Sequence, residues 1–377
     1  MGLRLVIAGG GTGGHLFPGI AVAQEFKAAL GAEVTFITTP KAVSAQILER
    51  YGFPWEVIQS RALKGQGVFG RVRALWGLPG SVLEAKRRLK ALNPHLVLGM
   101  GGHTSGPVGV AAYLLGIPLA LHEQNAIPGT TNRWLGRLAG RVFLSFPASR
   151  TYFPPNLSLW TGNPIRDEFF KTQVERPPEP FTVLITGGSQ GAHHLNMEVL
   201  AALPLLTDLK DRLQFLHITG EADRQEVEAG YQNAEFAAQV AAFTPQVANW
   251  MAQAHLVVCR AGASTLAELA AVGRAALLVP YPFAANNHQE HNARFLMDTG
   301  AAEMILNKNF TGEILAAKIR QFLADPHTRQ LMEAACRRLA RPDAAKEIVQ
   351  ACRELLEGKT GKKITPTLTL PPQGGGD

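Results

Sequence analysis

Cysteine is rare in this chain. Only Cys259, Cys336 and Cys352 occur among 377 residues, and they are odd in number, widely separated and in no paired spacing. This pattern excludes a disulfide-stabilised secreted domain and a cysteine-based zinc site. We therefore expect reduced thiols in a cytosolic protein without a structural zinc ion.

Long apolar runs are also missing. The nearest approach to a membrane span, residues 96–121, is interrupted by glycines between 99 and 106 and by Gly116 and Pro118. A spanning helix needs about 20 consecutive apolar residues, so none is expected. The first eight residues lack the apolar core of a signal peptide and run into glycines, which predicts a first β-strand.

Charge is modest and slightly basic. Charged residues make up 18% of the chain, and 37 Lys and Arg against 30 Asp and Glu give a formal net charge of +7. Such a diffuse excess does not indicate a nucleic-acid binder; it suits a phosphorylated substrate or an anionic membrane surface. With 46% apolar residues, the chain is long enough for two cores, so we expect two domains.

Apolar strands and helices alternate along both halves of the sequence. Predicted strands at 3–8, 33–38, 55–58, 96–99 and 119–122, with helices at 18–30 and 43–51, give the rhythm of a doubly wound parallel sheet. The pattern restarts after the hinge at 161–166, with strands predicted at 181–186, 215–219, 241–244, 256–259 and 276–280. The fold class is therefore α/β.

The restart sets the predicted domain boundaries. Residues 1–162 form a first Rossmann-like domain, residues 163–341 a second, and a last helix at about 342–357 crosses back onto the first domain. The proline- and glycine-rich tail at 358–377 is predicted to be disordered. Two such domains joined by a short hinge normally bind a ligand in the cleft between them.

Glycine-rich turns follow several of the predicted strands. They lie at 9–15, 99–106 and 187–192, where the carboxyl ends of parallel strands hold ligands. The first turn resembles a dinucleotide fingerprint only loosely, because no acidic residue closes the second strand at 38–40 to bind a ribose. A redox cofactor is therefore the lesser alternative, and no cofactor is expected.

The stretch 258–268 carries the clearest ligand signal. An apolar strand passes through a small-residue turn at Gly262 into a helix, whose first amides and positive dipole end suit a phosphate. Glu268 lies one turn further on, where it can bind the hydroxyls of a ribose. The alternative is an ordinary solvated glutamate on a helix surface.

A cluster of large apolar residues interleaved with arginines occupies 68–78. One interpretation is an amphipathic helix whose apolar side packs inward; the other is a monotopic patch that enters lipid headgroups while basic residues meet anionic phosphates. The apolar members are Val68, Phe69, Leu75, Trp76 and Leu78.

Five motifs together carry a family resemblance. They are GGTGGHLFPG at 10–19, HEQN at 122–125, GNPIR at 162–166, GGSQGA at 187–192 and CRAGASTLAE at 259–268. In this order they closely resemble the bacterial UDP-N-acetylglucosamine–N-acetylmuramyl-(pentapeptide) pyrophosphoryl-undecaprenol N-acetylglucosamine transferases, which form lipid II in peptidoglycan synthesis. The resemblance implies a GT-B fold and an inverting, peripheral enzyme at the cytoplasmic face of the plasma membrane.

It also implies substrates and partners. The donor is UDP-N-acetylglucosamine, the acceptor is the polyprenyl-diphosphate-linked muramyl pentapeptide, and proteins of cell-wall synthesis or cell division are candidate partners. Carried over residue by residue, the binding site comprises Thr12, Gly13, Gly14, Asn125, Arg166, Ser189, Thr244, Ala263, Ser264, Thr265, Leu266, Ala267, Glu268 and Gln289. The spacing between Gln289 and Asn292 is one residue shorter than in a relative. For Arg166, the alternative is an ordinary surface arginine on the hinge.

The expected chemistry leaves the general base open between two residues. His15 on the first glycine loop has an ordinary pKa near neutrality, and Glu123 on the loop at 122–129, which follows the predicted strand at 119–122, is the alternative. No acidic pair is spaced to hold a metal against a diphosphate, so backbone amides and helix N-termini are expected to stabilise the leaving charge. Two other classes stay open, a non-hydrolysing UDP-N-acetylglucosamine epimerase and a non-catalytic half of a split transferase.

Overall fold

The computed structural model describes residues 2–10, 13–40, 42–58, 68–172, 174, 176–188 and 191–360, without the side chains at 42–43, 68–78 and 359–360. The chain divides into two compact units. Unit 1 comprises Met1–Gln124, Pro128–Pro164 and Asp343–Asp377, and unit 2 comprises Asn125–Ile127 and Ile165–Pro342.

Unit 1 is built on a seven-stranded parallel sheet. Its elements up to the end of the sheet are β1 (Arg4–Ala8), α1 (Gly13–Leu30), β2 (Glu33–Thr38), α2 (Ala42–Arg50), β3 (Trp55–Val57), α3 (Val68–Leu92), β4 (Leu96–Gly99), α4 (Gly102–Leu114), β5 (Leu119–Glu123), α5 (Thr130–Leu135), β6 (Arg141–Leu144), a 3₁₀ helix (Pro147–Tyr152) and β7 (Ser158–Trp160). The strand order is β3-β2-β1-β4-β5-β6-β7. The order reverses between β1 and β4, so the two glycine turns that follow these strands share the switch point of the sheet.

Unit 2 repeats the design with six parallel strands. Its elements are α6 (Glu168–Lys171), β8 (Phe181–Thr186), α7 (His193–Ala202), a 3₁₀ helix (Leu203–Arg212), β9 (Leu213–Ile218), α8 (Arg224–Asn233), β10 (Ala237–Ala241), α9 (Val247–Gln253), β11 (Leu256–Cys259), α10 (Ala263–Val272), β12 (Ala276–Leu278), a 3₁₀ helix (Ala285–Asn287), α11 (His288–Asp298), β13 (Glu303–Met304), a 3₁₀ helix (Asn307–Asn309), α12 (Gly312–Ala324) and α13 (Pro326–Arg338). The strand order is β10-β9-β8-β11-β12-β13. Here the switch point lies between β8 and β11.

The last helix, α14 (Ala344–Thr360), belongs to unit 1, where it packs beside α1. Its Ile348 and Cys352 are buried in the apolar cluster that also contains residues of β1 and α1. Every strand pairing in both sheets is parallel, which confirms the predicted α/β fold of doubly wound sheets. No helix in the described ranges is long and apolar enough to cross a membrane.

Two predicted elements were misplaced. The helix predicted to begin at Pro18 begins at Gly13, with Pro18 inside it. It packs closely onto the sheet, since a methyl group on Gly19 would meet Ile7 and Phe36 at 3.3 Å. The strand predicted at 241–244 lies at Ala237–Ala241 instead, and Phe243 is 63% exposed beyond it. Pairing with β9 selects this alanine-rich edge strand against its weak intrinsic propensity.

All three cysteines are free and fully buried. Cys259 ends β11, Cys336 lies on α13 and Cys352 on α14. Burial raises the pKa of Cys259 and of Cys336 to about 12, and it also raises the pKa of Cys352. The thiols therefore behave as small apolar side chains in the folded protein.

Candidate active site

The first glycine loop of unit 1 leaves β1 and enters α1. Gly10 has a φ of +149°, and a methyl group there would lie 2.0 Å from Thr38 Oγ1, so only glycine fits. Gly13 and Gly14 form the first residues of α1, and His15 follows them in its first turn. Thr12 lies outside the described residues.

His15 is half-buried and held by a glutamine from the end of β5. Its Nδ1 lies 3.0 Å from Oε1 of Gln124, and the Nε2 of Gln124 donates to the carbonyl of Met100 at 3.0 Å. The second glycine turn borders the ring, because a methyl group on Gly101 would lie 3.3 Å from Cε1 and one on Gly102 would lie 4.0 Å from Nε2. The imidazole therefore lies at the switch point, beside the N-terminus of α4.

Glu123, the other candidate base, is only 2% exposed. Its Oε2 accepts from the backbone amide of Gly129 at 3.1 Å and from Nδ2 of Asn132 at 2.9 Å. The carboxylate thus ties the end of β5 to the start of α5. This arrangement favours a structural role in holding the loop.

The predicted donor stretch forms the start of α10 in unit 2. Gly262 precedes the helix in an extended conformation, and no side chain caps it. The stretch from Ala263 to Glu268 therefore presents backbone amides and the positive dipole end at the carboxyl edge of β11. A diphosphate would be stabilised at this position.

Glu268 lies on α10 with its carboxylate 3.6 Å from Nη2 of Arg166. Nη1 of Arg166 lies 2.8 Å from Glu168, and its guanidinium stacks 4.9 Å from the ring centre of Phe169. Burial raises the pKa of Glu268 to about 7, against the opposing effect of Arg166. The structure thus brings together two residues that the sequence assigned to one site.

Gln289 lies at the second position of α11. Its Oε1 accepts from the backbone amides of Ala261 at 3.2 Å and Tyr281 at 2.9 Å. The side-chain carbonyl therefore braces the turn after β11, which leaves the amide nitrogen as the group with which Gln289 can bind a ligand. Thr244 follows β10 and is 9% exposed, and its hydroxyl accepts from the backbone amide of Gln246 at 3.1 Å. Ser189 lies outside the described residues.

Asn125, which the resemblance assigns to the first domain, is grouped with unit 2. Its Oδ1 accepts from Asn292 at 3.2 Å, and Asn292 also binds the amide of Ala126 at 2.8 Å and the carbonyl of Ala261 at 3.2 Å. Asn292 is fully buried. It is an organising residue that sequence reasoning missed, and its position three residues after Gln289 on one helix was the available signal.

Three further residues were given no role from the sequence. Arg260, 8% exposed, donates to the carbonyls of Val279 and Pro280 and to Asn307. His122 and Gln124 stand at alternate positions of the strand end, where side chains share a face. This alternation within the HEQN motif was the sequence feature that could have identified His122 and Gln124 as neighbours.

The predicted membrane patch falls on the first part of α3, whose side chains at 68–78 lie outside the described part of the chain. Further along α3, Lys86, Arg87 and Arg88 are half-buried or exposed, and Arg88 lies 3.5 Å from Glu56. Among the residues that are described, no group of three or more His, Cys, Asp or Glu side chains could hold a metal ion.

Family models match both halves of the chain. The glycosyltransferase family 28 N-terminal domain matches residues 5–144, and the family 28 C-terminal domain matches residues 182–348. The two matches fall on units 1 and 2 respectively, apart from the short segment at 125–127 and the start of α14.

Among solved structures, MurG from Acinetobacter baumannii is 32% identical to this chain, with a TM-score of 0.76 over 93% of this chain and 99% of that one. UDP-GlcNAc 2-epimerase from Neisseria meningitidis is 13% identical, with a TM-score of 0.68 over 94% of this chain and 100% of that one. The second likeness concerns the fold alone.

Curated relatives match over nearly the whole length. The UDP-N-acetylglucosamine–N-acetylmuramyl-(pentapeptide) pyrophosphoryl-undecaprenol N-acetylglucosamine transferase of Anaeromyxobacter dehalogenans is 45% identical over 363 residues, 95% of this chain and 94% of the relative. The protein of the same name from Myxococcus xanthus is 42% identical over 372 residues, 97% of each. The predicted resemblance is confirmed: the chain belongs to this family of glycosyltransferases, with the GT-B fold.

Proposed function

We propose that this enzyme transfers N-acetylglucosamine from UDP-N-acetylglucosamine to the 4-hydroxyl of the muramyl sugar of undecaprenyl-diphosphate-linked muramyl pentapeptide. The product is lipid II, the precursor of peptidoglycan. The observation that carries the proposal is the match to transferases named for this reaction, at 42–45% identity over 95–97% of the chain. The site supports it with a helix N-terminus for a diphosphate beside a carboxylate for a ribose.

In the donor half, the diphosphate binds the amides at the start of α10 and the turn that contains Ser189. Glu268 binds the ribose hydroxyls, since a carboxylate next to a phosphate cannot serve charge attraction and is suited to hydrogen bonding. Arg166 holds Glu268 in place, and Gln289 offers its amide nitrogen to the donor sugar. Asn125 completes this half, together with the stretch from Ala263 to Glu268.

In the acceptor half, His15 is the general base, and Thr12, Gly13 and Gly14 belong to the same loop. Nε2 of His15 removes the proton from the muramyl 4-hydroxyl as its oxygen attacks the anomeric carbon, and UDP leaves from the opposite face with the bonding electrons. The configuration at the anomeric carbon is thereby inverted. Amides at the start of α10 stabilise the charge that develops on the leaving diphosphate, so the step requires no metal.

We propose that the enzyme binds peripherally to the cytoplasmic face of the plasma membrane. The acceptor carries a polyprenyl chain, and each buried methylene contributes about 0.8 kcal/mol to its retention in the bilayer, so the enzyme must come to the lipid. The anchoring side chains are Val68, Phe69, Leu75, Trp76 and Leu78. Proteins of cell-wall synthesis and cell division are candidate partners at this surface, with roles in cell shape.

The test is incubation of the enzyme with labelled UDP-N-acetylglucosamine and a short-chain analogue of the lipid acceptor. We expect a labelled disaccharide lipid and equimolar UDP. A reaction that consumes the donor without acceptor and yields an epimerised sugar nucleotide would instead assign an epimerase. Label that enters neither product would contradict the proposal.

A further inference from the structure

A directed chain of hydrogen bonds runs through the core of unit 1 to the ring of His15. It begins at the carbonyl of Gly162, which lies 3.2 Å from Nε2 of His122. Nδ1 of His122 lies 3.0 Å from Nε2 of Gln124, whose Oε1 lies 3.0 Å from Nδ1 of His15. His122 and Gln124 are buried, so water does not compete for these groups.

The direction of each bond follows from groups that can only accept. A carbonyl has no proton, so Nε2 of His122 must carry the hydrogen that faces Gly162. Burial lowers the pKa of His122 to about 4, so the ring is neutral at physiological pH and its Nδ1 is an acceptor. The group of Gln124 that faces it must therefore be the amide nitrogen.

A second acceptor, independent of His122, also fixes which way the side-chain amide of Gln124 is oriented. The carbonyl of Met100 lies 3.0 Å from the same nitrogen and likewise requires a donor. With the nitrogen held on that side, Oε1 faces Nδ1 of His15. An amide oxygen only accepts, so Nδ1 of His15 must carry the hydrogen, and the lone pair of the neutral ring lies on Nε2.

We propose that Gln124, oriented by His122 and the Met100 carbonyl, is a positioning residue that holds His15 in the tautomer with its proton on Nδ1. This inference rests on the proposed function, in which Nε2 of His15 accepts the proton of the acceptor hydroxyl. Tautomer control of this kind is worth up to about 10⁴-fold in turnover where it has been removed in other enzymes.

The lack of charge on Gln124, the hydrogen-bond partner of His15, also affects how readily His15 binds a proton. An amide fixes the tautomer without the charge that a carboxylate would supply to a protonated ring. His122, which is neutral, and the N-terminus of α4, which disfavours a positive charge, also lie beside the ring. The acidic residue of the motif, Glu123, stands at the intervening position of the strand end, and its Oε2 accepts from the Gly129 amide and from Asn132. Gln124 therefore keeps His15 ready to accept a proton near neutral pH.

The first measurement reads the tautomer directly, from ¹⁵N NMR of the histidine rings in the full-length protein, with the His15 signals assigned by comparison with His15→Gln. We expect Nδ1 of His15 to be protonated and Nε2 to be unprotonated above the pKa of His15. A ring protonated on Nε2 overturns the inference, whatever the transferase activity. An inactive His15→Ala beside an active parent tests the base assignment separately.

The second measurement compares Gln124→Met with Gln124→Glu on a soluble acceptor. We expect Gln124→Met to lower kcat at least about ten-fold. The KM for the donor should be nearly unchanged, because the substitution removes only the hydrogen bond that holds the His15 imidazole. Gln124→Glu keeps an oxygen towards Nδ1 of His15, but only its protonated carboxyl can donate to the Met100 carbonyl or to Nδ1 of His122. Its kcat should therefore fall below that of the parent as pH rises and the carboxyl ionises. Gln239→Met, at an exposed glutamine of unit 2, is the matched control and should leave kcat unchanged.

A Gln124→Met variant with the parent's kcat would overturn the inference. So would a Gln124→Glu profile that coincides with that of the parent. If Gln124→Met does not fold, the Gln124→Glu profile and the NMR measurement on the parent still decide the question.

Discussion

Substituting Glu268 with Gln should make the protein more stable at alkaline pH while weakening its hold on the donor. Glu268 is half-buried on α10, with a side chain 13% exposed, and the charged neighbours that act on it are Arg166 and Glu168. Burial raises its pKa from 4.5 to about 7, because the attraction of Arg166 does not make up for the lost hydration. The carboxylate form therefore destabilises the fold.

The sign and size follow from proton linkage. The folded state binds the proton more tightly than the unfolded state, so the stabilisation is fully present below about pH 4.5 and is lost as pH rises through about 7. At about 1.4 kcal/mol per pKa unit, the whole effect is about 3 kcal/mol. Gln has no proton to lose, so its advantage over Glu should grow by this amount between acid and alkaline pH.

The assay is calorimetric unfolding of both proteins between pH 5 and pH 8. For a unit of this size, about 3 kcal/mol corresponds to roughly 6–12 °C in the Tm of the unit 2 transition. Glu168→Gln is the control for removing a carboxylate that pairs with Arg166 at an exposed position, because the side chain of Glu168 is 44% exposed. A Glu268→Gln curve parallel to the parent would refute the reasoning.

The same variant separates stability from binding. Charge-assisted hydrogen bonds to ribose hydroxyls contribute roughly 1.5–3 kcal/mol, so Glu268→Gln and Glu268→Ala should both bind UDP-N-acetylglucosamine at least about ten-fold more weakly. Unchanged donor affinity in calorimetry would remove Glu268 from the site.

Three further outcomes are expected. His15→Ala should lower turnover on a soluble acceptor by about 10²–10⁴-fold with donor affinity nearly unchanged, and a turnover within a few-fold of the parent would assign the base elsewhere. Asn292→Leu should cost about 2–4 kcal/mol in the free energy of unfolding, because the three groups that bond to this buried side chain lose their partner. A loss below about 1 kcal/mol in denaturant titration would contradict this. The double substitution Phe69→Ser and Trp76→Ser should lower both sedimentation with anionic vesicles and activity on the long-chain acceptor, while activity on a soluble acceptor survives. If both activities fall together and the Tm drops, these side chains belong to the core.

The sheets could be predicted because their strands are short, apolar and followed by glycine. The prediction for Phe181–Thr186 matches the observed strand, since six successive buried residues end at a glycine turn. The strand Ala237–Ala241 could not be found in the same way, because its half-exposed alanines and glutamine carry little intrinsic β signal. Its position is decided by pairing with β9, which no local window contains.

In the candidate site, too, local features could be predicted from the sequence, whereas contacts between distant segments could not. The N-terminus of α10 and its Glu268 could be read from one continuous stretch, because strand, turn and helix are adjacent in sequence. Pairings such as His15 with Gln124, 109 residues apart, could not, since only the folded sheet brings β1 and β5 to one edge. The same holds for Asn292, whose partner Ala126 lies 166 residues away.

The three buried thiols give the protein an internal reporter of opening. A thiol reacts as the thiolate, and burial both raises the pKa of each cysteine and blocks reagents, so the folded chain should be nearly inert to a disulfide reagent at neutral pH. Cys352 lies on a helix of unit 1, whereas Cys259 and Cys336 lie in unit 2. Mass-resolved labelling in increasing denaturant should thus follow each unit separately, one modified peptide for the first and two for the second, without any engineered probe.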